Sequence, residues 1–403
     1  MKLKLHWQIL IALVIAVIYG LVFTEYVSYV RWMGDLFLRG LKMIIVPLIL
    51  TSIISGVANI GDAKNLGRLG LKTFAYYITT SIFAILTGLI LVNLLHPGVG
   101  ADLGLTSKVP DITATSGDLG EVIMRMIPAN IFDALASADM LAIIFFSILF
   151  GYFITKVDEK YKIMFTDIFN GGFEIMMKLT HFVILFTPLG ILGIVAGVVA
   201  DQADNLINLI GSLGLYMLAV LLGLIFHAFV TLPLIVKLVA KSNPSKHLKA
   251  MTVPLLTAFS TSSSSATLPL TMNAVENNSG VSNKVTSFVL PLGATVNMDG
   301  TALYECVAAM FIAQAYGIDL SFLQQIIVVI TALLASIGAA GIPMAGLVMI
   351  TVILSAVGLP LEGIGLILAV DRILDMCRTT VNVWSDSCGA VTIAKSEGET
   401  LKV

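Results

Sequence analysis

Uncharged apolar stretches recur along the first part of the chain, and each is close to the length that crosses a bilayer. They cover residues 5–24, 43–61, 73–101, 140–155, 179–200 and 205–236. A transmembrane helix needs about 20 mainly apolar residues, and a helix satisfies its own backbone hydrogen bonds in lipid. The pattern therefore predicts six membrane-spanning helices, and residues 156–167 are predicted to form a charge-balanced loop.

The pattern changes after these stretches, where two long apolar segments are interrupted by small and polar residues. Residues 320–361 contain SIGAAGIPMAG at 336–346, and residues 250–275 contain STSSSSATLP at 260–269. Glycine, proline and clustered serine disfavour a continuous helix at these points. Each segment is therefore predicted to be a re-entrant hairpin, a break that is tolerated only inside the protein or beside a water-filled cavity.

Each predicted hairpin precedes a helix with polar residues in its middle, so the same arrangement occurs twice. The polar residues are TVNMD at 295–299 and TVN at 380–382. Repeats with paired broken segments indicate the midplane binding site of a secondary transporter. We predict an all-α polytopic membrane protein with eight transmembrane helices and two re-entrant hairpins in inverted repeats, at about 250–276 and about 320–358.

Composition agrees with burial in lipid and argues against several other classes of protein. Hydrophobic residues make up 58% of the chain and charged residues 12%, against about a quarter charged in soluble domains. A net charge of -2 gives no basic field for a nucleic-acid partner. The cysteines and histidines show no disulfide or metal-ligand pattern, so no cofactor is expected beyond coupling ions.

Basic residues are concentrated on one predicted side of the membrane. They lie at the amino terminus and after residues 43–61 and 205–236, whereas acidic residues follow 73–101 and 179–200. The positive-inside rule then places the amino terminus in the cytoplasm. We expect an integral protein of the cytoplasmic membrane with both termini cytoplasmic.

Ionisable and polar residues of the last apolar segment repeat with helical spacing. Counted from the first, the others lie 4, 7, 8, 11 and 15 positions further on, which places all of them on one helix face: Asp371, Asp375, Arg378, Thr379, Asn382 and Asp386. A charged group at mid-bilayer costs about 2.5 to 3.5 kcal/mol on insertion scales, so this face indicates a function. The alternative is a cytoplasmic amphipathic tail, which the apolar flanks at 363–370 and 389–394 disfavour.

Arg378 and Asp375 together suit a ligand with both a carboxylate and an ammonium group. The planar guanidinium binds a carboxylate through two parallel hydrogen bonds, and the aspartate can pair with an amine. Asp371, Asp386 and Asp299 remain as surplus negative charge, which indicates bound cations.

Other polar residues in these segments have both a functional and an ordinary interpretation. The amide oxygens of Asn297 and Asn382 suit a small inorganic cation, or the two residues make interhelical hydrogen bonds. The serines at 260–265 either cradle a carboxylate or form a linker. Glu305 is a candidate proton carrier. The alternatives are that it pairs with an arginine or that it is an inert buried acid.

Four segments resemble the signature regions of the glutamate transporter family, the dicarboxylate/amino acid:cation symporters. They are STSSSSATLP at 260–269, NMDGTALYE at 297–305, SIGAAGIPMAG at 336–346 and DRILDMCRTTVNV at 371–383. The likeness covers nearly the whole chain in the same order and spacing. It implies a symporter of aspartate or glutamate that is driven by sodium ions, with protons as a second candidate coupling ion.

The resemblance also implies an assembly and a division of labour. Three identical chains would form a homotrimer in the membrane lipid. Within each chain, residues 1–70 and 102–204 would form a scaffold. Residues 71–101 and 205–403 would form a transport domain that moves like an elevator, and the second hairpin would be its gate.

The resemblance further implies the roles of individual residues. Arg378 would hold the side-chain carboxylate of the substrate and Asp375 its amino group. The rest of the pocket would be Thr301, Thr379, Asn382, Ser263, Ser264, Ile342 and Gly346. Sodium ions would bind at Gly293, Asn297, Asn382 and Asp386, at Thr295, Ser336, Ile337 and Ala339, and at Tyr77, Thr80, Ser81, Asn297 and Asp299.

The chain departs from the family pattern at a few positions. Ser262 and Met376 stand where some archaeal and animal members, respectively, have an arginine. Trp384 and Ser385 stand where many members have a residue followed by glycine, and Glu305 matches the acid of the proton-coupled animal carriers. The match at Glu305 favours proton involvement, and the missing second arginine disfavours potassium countertransport.

Four alternatives to an acidic amino-acid symporter remain. Within the same family they are symport of neutral amino acids or of C4-dicarboxylates. Outside it they are an ion channel and an intramembrane hydrolase, which would use either Asp299 and Asp375 as an acid pair or a serine near position 263 with a histidine. A serine hydrolase needs a base, and no histidine lies near the polar segments in sequence. Two broken hairpins suit occlusion better than an open pore, and the chain has no GxxxxGK[ST] motif for ATP.

Overall fold

The computed structural model describes residues 5–61, 67–101, 124, 127–201, 206–338 and 345–403. The regular secondary structure within these ranges is helical, which confirms the predicted all-α class, while the count of eight spans stays a prediction. Three of the described segments are long and apolar enough to cross a membrane, namely Ser28–Ala58, Arg68–Leu95 and Ile210–Leu238. A bent pair of helices, Glu159–Ile184 and Thr187–Asp201, makes a fourth if it is counted as one span.

Most helices of the first half pack against one another. The described helices are α1 (Leu5–Val22), α2 (Ser28–Gly61), α3 (Gly67–Leu95), α4 (Ile131–Ser137), α5 (Met140–Ile154), α6 (Glu159–Ile184) and α7 (Thr187–Asp201). α1 packs along α7, and α2 contacts α5, α6 and α7. α3 is the exception, because its main contacts are with helices of the second half.

The predicted loop at residues 156–167 is wrong, since α6 begins at Glu159. Its charged residues interrupt the apolar stretch without interrupting the helix, because they lie at helical spacing. Lys162 Nζ lies 3.6 Å from Glu159 Oε1, three residues before it on the same helix. α6 and α7 meet at a bend of 51°.

α2 is likewise longer than the uncharged stretch that predicted it, because its first turns carry charges on one side. Arg31, Asp35, Arg39 and Lys42 follow one another at intervals of four, four and three residues, which a helix brings to one face. The Arg31 guanidinium reaches α7, where it donates to Asp201 at 2.7 Å. The uncharged stretch therefore underestimates the length of the helix.

The second half is organised around one long helix, α17. The described helices are α8 (Leu206–Phe226), α9 (Leu232–Leu238), α10 (Pro244–Ala250), α11 (Thr252–Thr261), α12 (Ser264–Ala274), α13 (Asn283–Val296), α14 (Asp299–Ala315), α15 (Phe322–Gly338), α16 (Ala345–Val357) and α17 (Ile364–Ser396). α17 contacts α8, α11, α13 and α14. α3 packs on α14 and α8, so it joins this group.

Each of the two segments predicted as a hairpin contains two helices that pack against each other, while their re-entrant course stays a prediction. α11 ends at Thr261, and the next residue, Ser262, has a left-handed backbone with a φ of 51°. The hydroxyl of Ser263 then accepts a hydrogen bond from the Ala266 amide and caps α12. α15 packs against α16, and residues 339–344 between them lie outside the described residues.

The predicted helix with a polar middle at 295–299 is in fact broken there. α13 and α14 are joined by Asn297 and Met298 in non-helical conformation. Gly300, one position into α14, packs directly on α17, where an added Cβ would lie 2.5 Å from the Arg378 carbonyl oxygen. This close approach places the helix break against the charged face of α17.

The carboxyl-terminal segment after α17 is tied to α3 by two ion pairs. Glu397 lies 2.6 Å from Lys72 Nζ and 2.7 Å from Arg68 Nη2. The hydrogen bonds from Lys72 and Arg68 lower the pKa of Glu397 from its ordinary value of 4.5 to about 2. The carboxylate is therefore charged, and both pairs persist, down to acidic pH.

Replacing Glu397 with glutamine is expected to lower the unfolding temperature of the purified protein slightly at pH 7. A carboxyl group whose pKa is lower in the folded state stabilises fully above its ordinary pKa and loses this effect as the pH falls towards the folded value. The two proteins should therefore converge between pH 4.5 and about 2. The effect is small because solvent screens exposed pairs.

Thermal unfolding of wild type, Glu397→Gln and the control Glu174→Gln across this pH range measures the effect. Glu174 makes an exposed pair with Lys178 within α6, so its replacement should change little. A difference between Glu397→Gln and wild type that did not depend on pH would contradict the prediction.

Candidate functional site

The charged face of α17 forms a compact ion-pair cluster of Asp371, Asp375, Arg378 and Tyr304. Arg378 Nη1 donates to Asp371 Oδ1 at 3.0 Å, and its Nε donates to Asp375 Oδ1 at 3.1 Å. The guanidinium lies 4.0 Å from the centre of the Tyr304 ring, and the Tyr304 hydroxyl donates to Asp371 at 2.6 Å. Arg378 is only 1% exposed, so its charge is compensated inside the protein.

Asp371 thus has a different role from the one predicted. It was counted among surplus carboxylates for cations, but it is the partner of Arg378 and an acceptor of the Tyr304 hydroxyl. Its seven-residue offset from Arg378 places the two side chains two helical turns apart on the same face. The spacing was therefore sufficient to bring them together, and only the assignment to a cation was wrong.

One nitrogen of the Arg378 guanidinium is held by an ion pair without a hydrogen bond. Nη2 lies 3.0 Å from Asp375 Oδ1, yet it makes no hydrogen bond with any described residue. Gly346 lies beside the same group, since an added Cβ there would be 3.1 Å from Cζ. The second broken helix pair therefore meets the guanidinium at a residue without a side chain.

The structure describes most of the other predicted pocket residues. Asn382 lies one turn beyond Arg378, where its Nδ2 donates to Thr301 Oγ1 at 3.0 Å and its Oδ1 accepts from the Gly300 amide at 2.7 Å. Thr379, Ser263 and Ser264 are buried. Ile342 lies outside the described residues.

Asn297 and Asp386 form the core of the first predicted sodium site. Asn297 Nδ2 donates to Asp386 Oδ1 at 2.9 Å, and the two residues are 0% and 3% exposed. Gly293 faces the same carboxylate, because an added Cβ would lie 2.5 Å from Asp386 Oδ1. Asn382 belongs to this predicted set, but its side chain bonds to Thr301 and the Gly300 amide instead.

Most residues of the third predicted sodium site lie close to Asp299. Ser81 Oγ donates to Asp299 Oδ1 at 2.6 Å, and Thr80 Oγ1 lies 3.3 Å from the same oxygen and 3.4 Å from Asn297 Oδ1. The Tyr77 hydroxyl donates instead to the Val289 carbonyl at 2.6 Å. We call Thr80, Ser81, Asn297, Asp299 and Asp386 the oxygen cluster.

The second predicted sodium site is less complete in the described residues. The Thr295 hydroxyl donates to the Leu292 carbonyl at 3.1 Å, and the Ser336 hydroxyl donates to the Leu333 carbonyl at 2.8 Å. Both hydroxyls thus bond to their own helices. Ile337 is half-buried, Ala339 lies outside the described residues, and this set stays a prediction.

Sequence reasoning missed two residues that contact Asp299, namely His227 and Ser385. His227 Nε2 lies 3.1 Å from Asp299 Oδ2, and the Ser385 hydroxyl donates to the same oxygen at 2.5 Å. His227 begins a short π-helical turn, a wide turn that is frequent at functional sites. A histidine in the middle of an uncharged apolar stretch was the signal that could have identified it.

Glu305 is completely buried on α14. Neither of its carboxyl oxygens has a hydrogen-bond partner among the described residues. Glu305 therefore forms no direct pair with an arginine of the described residues. The assignment of Glu305 as a proton carrier stays a prediction.

The sequence matches the family model described as the sodium:dicarboxylate symporter family over residues 5–396. It is 38% identical to excitatory amino acid transporter 3 of Oryctolagus cuniculus, over 98% of this chain and 86% of that protein. It is 36% identical to a proton/sodium-glutamate symport protein of Geobacillus stearothermophilus, over 99% and 96%. It is 35% identical to a proton/glutamate-aspartate symporter of Escherichia coli (strain K12), over 98% and 93%.

Proposed function

Because this chain belongs to the sodium:dicarboxylate symporter family, we propose that it carries aspartate and glutamate across the cytoplasmic membrane by sodium-coupled secondary active transport. Membership confirms the resemblance predicted from the four motifs. The chain is a transporter and not an enzyme. The names of several relatives state glutamate or aspartate as the substrate and sodium or protons as the coupling ion. The ion-pair cluster supports the proposed substrate, and the oxygen cluster supports the proposed ion.

Arg378 is the single observation that carries the substrate assignment. Its guanidinium is buried, and Nη2, which makes no hydrogen bond with a described residue, lies beside Gly346. A substrate carboxylate would bind there through charge-assisted hydrogen bonds, which are stronger in a site that excludes water. Asp375 would then turn from Arg378 towards the ammonium group of the substrate, while Asp371, held by Tyr304, would remain the permanent partner of Arg378.

The oxygen cluster supports coupling to a monovalent cation. Asp299 and Asp386 are buried carboxylates, and neither pairs with a lysine or arginine among the described residues. Buried carboxylates without such partners favour a bound cation, and amide, hydroxyl and carboxylate oxygens are its natural ligands. Sodium is the proposed ion, and Glu305 makes the proton the second candidate.

The packing of the helices supports a division into two parts. α1, α2, α5, α6 and α7 contact one another, whereas α3 packs with α8 and α14 around α17. We propose that the first group is the scaffold of a homotrimer and that the second is a transport domain moving as an elevator. Both pairs α11–α12 and α15–α16 would be re-entrant hairpins, and both termini would be cytoplasmic.

Uptake by the purified protein in proteoliposomes tests the function. Labelled aspartate, glutamate, serine and succinate should be compared under an inward sodium gradient, an inward proton gradient and no gradient. We expect saturable uptake of aspartate and glutamate that requires sodium, and weaker uptake of serine and succinate. Each of these two lacks one of the charged groups that Arg378 and Asp375 would bind.

The outcomes separate the alternatives. A preference for serine or for succinate would indicate a neutral amino-acid or a C4-dicarboxylate symporter. Uptake that a proton gradient drives without sodium would show that protons, and not sodium ions, are the coupling ions. A flux that did not saturate with substrate would indicate a channel and would contradict the proposal.

A further inference from the structure

Ser385 of α17 connects two residues of the oxygen cluster, Asn297 and Asp299, which lie at the break between α13 and α14. It lies on α17, completely buried, between Asn297 and Asp299. Its hydroxyl donates to Asp299 Oδ2 at 2.5 Å and accepts from Asn297 Nδ2 at 3.1 Å. A hydroxyl has one proton to donate, so this geometry uses it on the carboxylate.

The neighbouring Ser387 shows the ordinary behaviour of a serine in a helix. Its hydroxyl donates to the Trp384 carbonyl three residues earlier in the same helix, at 2.8 Å. Bonding to the preceding turn is the usual way in which a buried helical serine is satisfied. Ser385 instead directs its proton across the helix interface to Asp299.

The bond from Ser385 determines how Asp299 is presented. Oδ2 is held by Ser385 and His227, so Oδ1 faces Ser81 and Thr80 of α3. Both atoms of the carboxylate therefore have fixed directions.

Asn297 is oriented in the same way. Its Nδ2 donates to Ser385 and to Asp386, at 3.1 and 2.9 Å, which leaves Oδ1 to face Thr80 at 3.4 Å. One hydroxyl thus aligns an amide oxygen and a carboxylate oxygen towards the same part of α3.

We propose that Ser385 is a positioning residue for the coupling cation. It holds Asn297 Oδ1 and Asp299 Oδ1 in the orientation that binds the ion and does not itself bind the substrate. This inference rests on the proposed cation-coupled transport. It assigns a role to a serine at a position where many members of the family have glycine.

Two substitutions of Ser385 distinguish the effect of its hydroxyl group from the effect of the volume of its side chain. Ser385→Ala removes the hydroxyl and keeps Cβ, whereas Ser385→Gly removes both. In both variants the sodium concentration that gives half of the maximal thermal stabilisation should rise about tenfold, because a hydrogen bond to a charged group is lost. This corresponds to about 1.4 kcal/mol at 25 °C.

Transport provides the second readout. The sodium concentration for half-maximal aspartate uptake should rise by a similar factor, while the KM for aspartate at saturating sodium should stay within about twofold of wild type. Ser387→Ala is the matched control, since it removes a buried hydroxyl of the same helix that does not contact the oxygen cluster. It should leave both sodium values unchanged.

Three results would overturn the proposal. If Ser385→Ala kept the sodium response of wild type, the hydroxyl would have no positioning role, even if Ser385→Gly were impaired. An equal loss in Ser387→Ala would indicate a general packing effect. If wild type itself did not respond to sodium in binding or uptake, the proposed coupling would fail first, and this result is visible without any variant.

Discussion

Replacing Arg378 with cysteine is expected to lower aspartate and glutamate uptake about 100-fold or more and to shift the preference towards neutral amino acids. Removing one partner of a buried, hydrogen-bonded charge pair costs about 2 to 5 kcal/mol, and 100-fold corresponds to about 2.7 kcal/mol. The substrate amino group would still meet Asp375. Competition of labelled aspartate uptake by serine, alanine and succinate measures the change in preference.

The same substitution leaves Asp371 without its cation. Breaking a buried ion pair destabilises a protein by about 3 to 5 kcal/mol, so Arg378→Cys is expected to unfold at a lower temperature. The double variant Arg378→Cys with Asp371→Asn removes the charge of Asp371, while Asp375 keeps Arg372 at 3.5 Å, so it should regain part of the stability. It should not regain acidic-substrate uptake, since no guanidinium is present to bind the carboxylate.

This pair of variants distinguishes binding from folding. If the double variant were as stable as wild type and still transported glutamate with unchanged affinity, Arg378 would not be the substrate carboxylate ligand. The proposed substrate geometry would then be wrong, even though the family membership would stand.

Replacing Asp299 with asparagine is expected to reduce sodium-driven uptake by about two orders of magnitude at moderate sodium concentration. The carboxylate accepts from Ser81, Ser385 and His227 in a site with no exposure to solvent. An amide has the same shape, but it carries no charge to attract a cation, and its NH₂ group would face these donors. The sodium dependence of uptake and of thermal stability measures the loss.

The control for Asp299 is Asp319→Asn, which neutralises an exposed aspartate before α15. We expect it to behave as wild type. Asp299→Glu retains the charge but displaces it by one methylene, so an intermediate sodium affinity is expected. Sodium-dependent uptake of Asp299→Asn at the wild-type level would remove Asp299 from the set of cation ligands.

The local features of the site were predictable because they depend on helical spacing. Asp371, Asp375 and Arg378 lie on one face of a helix wherever that helix packs, and the structure places Arg378 in contact with both aspartates. The break near Ser262 was also predictable, because clustered serines disfavour a continuous helix. Pro269 of the same motif, in contrast, lies inside α12. The start of α2 was not predicted, since charges on one face do not end a helix.

Contacts between distant parts of the chain could not be predicted in the same way. Ser81 and Asp299 are 218 residues apart, and His227 reaches Asp299 across 72 residues. No spacing rule relates residues on different helices, so a lone histidine in an apolar stretch had no apparent partner. The family resemblance proposed the first pairing and did not include the second.

The amino-acid sequence by itself determined that the chain is helical and apolar, that its second half is interrupted twice, and that one helix carries a charged face. These properties follow from short-range periodicity and from the cost of exposing polar groups to lipid. Only the tertiary structure decided that Tyr304 donates a hydrogen bond to Asp371, and that Ser385 and His227 orient Asp299. The reason is physical: a buried charge takes whichever partners the packing of the helices supplies, and that packing depends on contacts along the whole chain.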